Sequence, residues 1–381
     1  MDTPVYQKYG DWIAEGKVPY RDFRPEYPPL ALPVFALPSL VQDQPSDPER
    51  YRRVFELGMA LSGAVAIALM AWTLGLLGAG MGRFLGALGF AALAPLALGS
   101  VVLSRFDLWP AALTAAALAL LVAERDRLSA AALGLAVAAK IYPGVLVPLA
   151  AVWVWRRHGR RAALTWGGIL VGTVLAIFLP FLVVAPAGVA ASLARQLSRP
   201  LQIESLGSAL LLPFHHLDVL SLEMRSSHGS QNVAGAPGVV AGVLQTLLQA
   251  AVLIALWLRF ARGRMEAERL VRYAAAAVLA FVALGKVLSP QFLIWLVPLV
   301  PLVRGRRGLA ASVLLGLALV LTQLWFPFRY WDFALGFDAT VSWLVLTRDL
   351  VLVAALAVLV WPFEEDRRGS PSRPVGESSR S

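Results

Sequence analysis

The sequence predicts an all-α, polytopic helical membrane protein. Of its 381 residues, 58% are hydrophobic and 15% charged. A soluble domain carries roughly 45–50% apolar and about 25% charged residues. The mean hydropathy is +0.67. Runs of about 18 or more apolar residues, the length that crosses some 30 Å of hydrocarbon, recur along the chain.

Taken in order, the apolar segments fall at 54–78, 84–103, 108–123, 129–140, 143–156, 162–183, 239–260, 270–287, 290–303, 308–326 and 344–362. That is about 11 membrane segments, several shorter than the ~20 residues a straight crossing needs. Short, Pro-interrupted segments at membrane depth pack inside protein or line a cavity. Residues 54–362 therefore form the membrane core, with a loop at 184–238.

The net charge of +10 sets the orientation rather than a nucleic-acid partner. Basic residues cluster between apolar runs, in RRHGRR (156–161), RFARGR (259–264), RGRR (304–307) and DRR (366–368). Placing these clusters in the cytoplasm makes 129–156 cross twice, as two short helices meeting near KIYPG (140–144). The outer face then receives 1–53, SRFD (104–107), KIYPG, 184–238, SPQ (289–291) and 327–343. The Ser/Pro/Arg-rich tail 363–381 reads as disordered. There are no cysteines, so disulfides and thiolate metal sites are excluded.

The first loop, 1–53, holds two structured pieces. Val5, Tyr9, Trp12, Ile13 and Gly16 share one face at helical spacing, which predicts an interfacial helix ended by Gly16. YPPLALPVFALPSL (27–40) carries four prolines in about 14 residues and reads as re-entrant or interfacial.

Outward segments concentrate the ionisable groups. The first loop has Asp2, Asp11, Asp22 and Glu26. Arg105 and Asp107 follow, then Lys140 and Tyr142 at the hairpin tip. The large loop has Arg199, Gln202, Glu204, His215 and His216, and a later helix break has Lys286, Ser289 and Gln291. Charges at membrane depth are expensive and mark function. Lys140 precedes a Pro143-started helix, where a point charge and unpaired N–H groups suit an anion. Lys286 in GKVLSPQ has the same character. On composition Asp2, Asp22, Glu26 or Asp107 could each be a general base, or each a capping or ion-paired loop residue. His215 and His216 could contact phosphate or sugar, or simply end a loop helix. No phosphate loop, HExxH or nucleophile elbow is present, and no metal motif is read, although the acidic residues have the chemistry to bind a metal.

Several short strings occur in order: Asp2-x-x-x-Tyr6-x-x-Tyr9-Gly10, Gly16-x-x-Pro19-Tyr20-x-Asp22-Phe23, and Glu26-Tyr27-Pro28-Pro29. Ser104-Arg105-Phe106-Asp107-Leu108-Trp109-Pro110, Ala139-Lys140-Ile141-Tyr142-Pro143, Arg199-Pro200-Leu201-Gln202-Ile203-Glu204-Ser205 and Gly285-Lys286-Val287-Leu288-Ser289-Pro290-Gln291 follow. Together they resemble the glycosyltransferase 87 family, GT-C type membrane mannosyltransferases of actinobacteria that use polyprenyl-phosphate sugars.

The resemblance implies inverting sugar transfer on the extracytoplasmic face of the plasma membrane, without a cofactor. Its partners would be a lipid-linked sugar donor, a glycolipid or glycan acceptor and membrane lipids. Asp2 matches the family's general base. Lys140, Arg105, Lys286 and Arg199 become candidates for the donor phosphate. Asp22, Glu26, Asp107, Glu204, His215, Tyr20, Tyr27 and Tyr142 become candidates for sugar, acceptor or support, with Trp109 beside them. The family carries a membrane helix before the first loop, and none precedes Asp2 in this sequence; the expectation is an upstream start, since Met1 directly precedes the aspartate, with loss of the helix as the alternative. The competing readings are a flippase for a lipid-linked sugar, which would carry charge at span centres and an inverted repeat, neither of which is read in the sequence, and an inactive scaffold.

Overall fold

The computed structural model describes residues 3–41 and 47–361. Asp2 and the tail 363–381 lie outside the described residues. Helix α1 (Thr3–Ala14) ends where the sequence expects it. Gly16 takes φ 82°, and Lys17 N–H bonds Trp12 O at 2.9 Å. This is a left-handed cap that glycine adopts without strain.

Its buried face is Tyr6, Tyr9 and Gly10, whereas Val5 is exposed. The expected face was displaced because α1 packs on protein rather than lying free on an interface. A Cβ on Gly10 would sit 2.2 Å from Phe35 O, so α1 crosses α2 (Leu32–Leu40) backbone to backbone. Nine residues rise only ~14 Å, so α2 spans nothing, as its prolines predict.

Helix α3 (Pro48–Leu76) is capped by Asp47, whose carboxylate accepts the N–H groups of Glu49 and Arg50. Then come α4 (Met81–Leu98), the short α5 (Val101–Ser104), α6 (Leu108–Val122) and α7 (Asp126–Ala139). A 3-10 turn (Tyr142–Leu146) leads into α8 (Val147–Val184). Gly159 breaks α8 at φ 85°, ψ 174°, inside the RRHGRR cluster. The two segments expected at 143–156 and 162–183 are thus the halves of α8. Arg156 donates to Ala261 O (2.6 Å) and Gly263 O (2.9 Å), and His158 contacts Asp126 at 2.5 Å. The basic cluster therefore ties one end of the bundle together.

The large loop holds α9 (Pro186–Leu197), α10 (Leu206–His216) and an antiparallel hairpin of β1 (Met224–Ser227) and β2 (Ser230–Val233). Helices α11 (Gly235–Arg262), α12 (Ala267–Ala283), α13 (Gly305–Gln323), α14 (Tyr330–Gly336) and α15 (Ala339–Val360) complete the order. Helix α12 is buried nearly all round and forms the centre, whereas α11 shows Val239, Val240, Val243, Leu244 and Leu247 outward. Among the described residues, six helices are long and apolar enough to cross a membrane. Segment 290–303 is instead 3-10 helix (Pro290–Leu296 and Val300–Leu302), buried and bent by Pro298 and Pro301. One expectation fails outright. Span centres were read as uncharged, yet Arg348 and Asp349 lie inside α15 with no exposure at all.

Candidate functional site

The site forms where helices break. Between α5 and α6, Arg105 is extended and Asp107 stands at the start of α6 without capping it. That leaves its carboxylate free to face Lys140, the extended residue between α7 and the 3-10 turn. Lys140 Nζ lies 2.5 Å from Asp107 Oδ1, and Asp107 is 1% exposed. Trp295 Nε1–H donates to the same oxygen at 2.6 Å. Asp107 Oδ2 is buried and has no hydrogen-bond partner among the described residues.

Aromatic rings wall this pair. Lys140 Nζ lies 4.5 Å from the Phe106 ring centre and 4.9 Å from that of Trp295. Trp295 stacks on Tyr142 (4.0 Å) and Phe292 (4.1 Å). The Tyr142 hydroxyl meets Thr114 Oγ1 at 3.0 Å. Tyr142 therefore braces the wall, with its hydroxyl engaged, rather than offering it to a sugar.

Arg105 and Arg199 lie within electrostatic reach of Lys140. Burial lowers the pKa of both guanidiniums; Asp107 and Glu204 oppose this at Arg105, Glu26 and Glu204 at Arg199. Arg199 Nε is buried with no partner among the described residues. Three cations thus converge beside a buried carboxylate.

The first loop roofs this cluster. Tyr27 packs on Phe106 at 5.0 Å. Tyr20 donates to Tyr27 O at 2.7 Å and sits edge-on to Phe181 at 5.3 Å. The Glu26 carboxylate lies 3.6 Å from Arg195, and a Cβ on Gly229 at the hairpin tip would come within 2.8 Å of it. Helix α9 holds the loop down. Ser192 donates to Pro25 O (2.8 Å) and Gln196 to Glu26 O (2.5 Å). Thr3 Oγ1 donates to Ser104 O at 3.2 Å, so the chain reaches the Asp107 segment at its first described residue.

Glu204 closes the other side, 1% exposed. Gln202 Nε2 donates to its Oε2 and, at 2.9 Å, to Ser289 Oγ. Its Oε1 is buried without a partner among the described residues. Burial pushes the Glu204 carboxyl up from 4.5 to about 8, against the pull of Arg348 and Arg105. The folded chain thus keeps a proton that the unfolded chain sheds, so stability falls as pH rises from 4.5 to about 8. Glu204→Gln is expected to remove its share of that fall, read as a melting temperature that drops less than that of the wild type between pH 5 and pH 8.5.

Some expected residues stand elsewhere. Asp22 is exposed; Arg21 and the Val18 N–H hold its carboxylate down at about 2, which makes it a loop brace. His215 Nδ1 lies 3.2 Å from Leu220 O and its ring packs on Phe337, in a separate apolar cluster. Lys286 sits on the rim, donating to Leu197 O at 3.3 Å. Asp2 lies outside the described residues. Among those described, no group of three His, Cys, Asp or Glu is placed to hold a metal. Trp295, Phe292 and Thr114 were not anticipated, because nothing in their local sequence separates them from apolar wall or span; Arg348 was missed although a charge inside an apolar span is itself a signal.

The broken helices of this membrane bundle thus gather cations, a buried carboxylate and aromatic rings at one end. The family model for Glycosyltransferase family 87 matches residues 26–290, and the chain belongs to that family. The fold is similar to the crystal structure of ArnT from Cupriavidus metallidurans bound to undecaprenyl phosphate. The TM-score is 0.50 at 16% identity, covering 94% of this chain and 72% of that one. No curated protein matches the sequence.

Proposed function

We propose that the chain moves a sugar, mannose, from a polyprenyl-phosphate donor to a hydroxyl of a lipid or glycan, inverting the anomeric carbon. The observation that carries this is the convergence of Lys140, Arg105 and Arg199 at one aromatic-walled site. The undecaprenyl phosphate bound by the structurally similar ArnT supports a lipid-phosphate donor. The site lies at the far end of α6, α7 and the first half of α8 from the His158–Asp126 tie. With basic loops inside, that end is extracytoplasmic in the plasma membrane.

The acceptor hydroxyl gives its proton to Asp2 as its oxygen attacks the anomeric carbon. The bond from that carbon to the phosphate oxygen breaks, and its electron pair leaves with the phosphate. A singly charged diester becomes a doubly charged monoester. Lys140, Arg105 and Arg199 stabilise that added charge, in a walled site where it counts for more than in water. Asp107 fixes Lys140 beforehand. Lys286 guides the phosphate at the rim. Glu26 and Glu204 take sugar or acceptor hydroxyls, and Tyr27 with Phe106 lies against the ring.

The test uses reconstituted protein, radiolabelled polyprenyl-phosphate-mannose and mixed membrane lipids as acceptors. Label is expected to move to an acceptor, and Asp2→Asn to slow the transfer by ~10²–10⁴-fold, the contribution of a general base. Passage of unaltered donor across the bilayer without transfer would establish the flippase reading, which the buried charges of α15 alone favour.

A further inference from the structure

The Arg348–Asp349 pair lies far in sequence from every motif used above, inside the apolar run of α15. Both residues have no exposure. Two charges in such a place are not there for stability, because well-packed apolar residues do that as well or better. Their geometry gives the reason. Arg348 Nε lies 2.6 Å from Asp349 Oδ1. Arg348 Nη2 reaches out of the helix and donates to Glu204 O at 2.7 Å. Glu204 is held from its other side by Gln202, itself tied to Ser289. The next residue, Ser205, starts α10, which packs along α15. The loop that carries Glu204 is therefore hung from the α15 guanidinium.

We propose that Arg348 and Asp349 are a positioning pair for the transfer reaction, fixing from within α15 both the place and the charge of Glu204. This rests on the reading that Glu204 serves the sugar. Its carboxyl then works protonated, donating from the unpartnered Oε1 to a sugar oxygen. The charged and titratable groups acting on it are Arg348, Arg105 and Asp349, with Arg199 and Tyr330 also in reach. Arg348 favours the ionised carboxylate and Asp349 opposes it, with Arg348 the stronger of the two. The pair is thus a set point: its net effect keeps the Glu204 midpoint from climbing further.

The test reads the carboxyl itself and needs no substrate. Infrared difference spectra across a pH titration carry the protonated-carboxyl stretch of Glu204, assigned by its loss in Glu204→Gln. Arg348→Met is expected to raise the midpoint by about one unit or more, the displacement a nearby charge produces. Asp349→Asn is expected to lower it, and Arg348→Lys to restore it towards wild type. Arg348→Met/Asp349→Leu leaves no lone buried charge and covers the case in which a single variant does not fold; its midpoint also rises. In the transfer assay the alkaline limb of kcat moves with the midpoint while the donor KM stays within about twofold. Midpoints that do not move, or that move the same way in Arg348→Met and Asp349→Asn, overturn the proposal. If the wild type transfers no sugar while the midpoints move in opposite directions, the transferase reading falls and the control of Glu204 by the pair stands.

Discussion

Lys140→Met is expected to lower kcat for sugar transfer by ~10²–10³-fold, the loss seen when one group aimed at developing charge is removed. The variant is also expected to fold poorly. It leaves the Asp107 carboxylate, 1% exposed, with the Trp295 N–H alone. Breaking a buried ion pair from one side costs about 3–5 kcal/mol. The two effects separate in Lys140→Met/Asp107→Leu, which removes both charges and fills the space with apolar atoms. Its melting temperature is expected to return towards wild type, its rate to stay low. A double variant that transfers sugar at the wild-type rate would reduce the pair to scaffolding. Lys140→Arg is not a neutral control. The flat guanidinium needs more room than the ammonium, and Phe106, Trp295 and Phe292 lie within 4.5–5.5 Å.

Gly188→Val is expected to lower the rate by about 10²-fold while leaving the membrane bundle folded. A Cβ at Gly188 would lie 1.9 Å from Tyr20 O, backbone against backbone, with no flexible side chain to yield. The first loop has to lift from α9. Tyr27 then leaves Phe106 and Glu26 leaves Arg195, and a misplacement of about 1 Å is enough for a loss of that size. The helices are anchored elsewhere, by the Arg83–Glu268 bridge at 2.6 Å and by the central α12. Trypsin at Lys17 and Arg21, both exposed, reads the lifting directly as faster cleavage. Faster cleavage with an unchanged rate would remove the first loop from the site.

What the sequence reveals follows the expense of burying charge. Arg105, Asp107 and Lys140 sit at breaks between apolar runs, where a charge has to have a reason, and they come together as a cluster. Their partner Trp295 lies 188 residues from Asp107. In the sequence it is one more aromatic residue in an apolar stretch. Arg348 and Asp349 carried the same signal, a charged pair within the apolar run 339–360, and were missed because they lie at no helix break. Segment 290–303 shows a different limit. A short apolar run reads alike as helix or coil, and only Pro298 and Pro301 hint that it bends. The face of α1 was misjudged because periodicity reports which residues are apolar, not which surface they meet. Gly10 was the better signal, since it permits the close crossing with Phe35.

In the proposed reaction the donor phosphate seats on Lys140, Arg105 and Arg199. An electron cryomicroscopy structure of the wild-type protein with a non-hydrolysable phosphonate analogue of polyprenyl-phosphate-mannose tests it most directly. Phosphonate density is expected within about 4 Å of Lys140 Nζ, the reach of an ion pair, with the sugar towards Glu204 and Tyr27. Phosphonate density at the Arg156–Arg161 end of the bundle, or beside α11 away from Lys140, would contradict it.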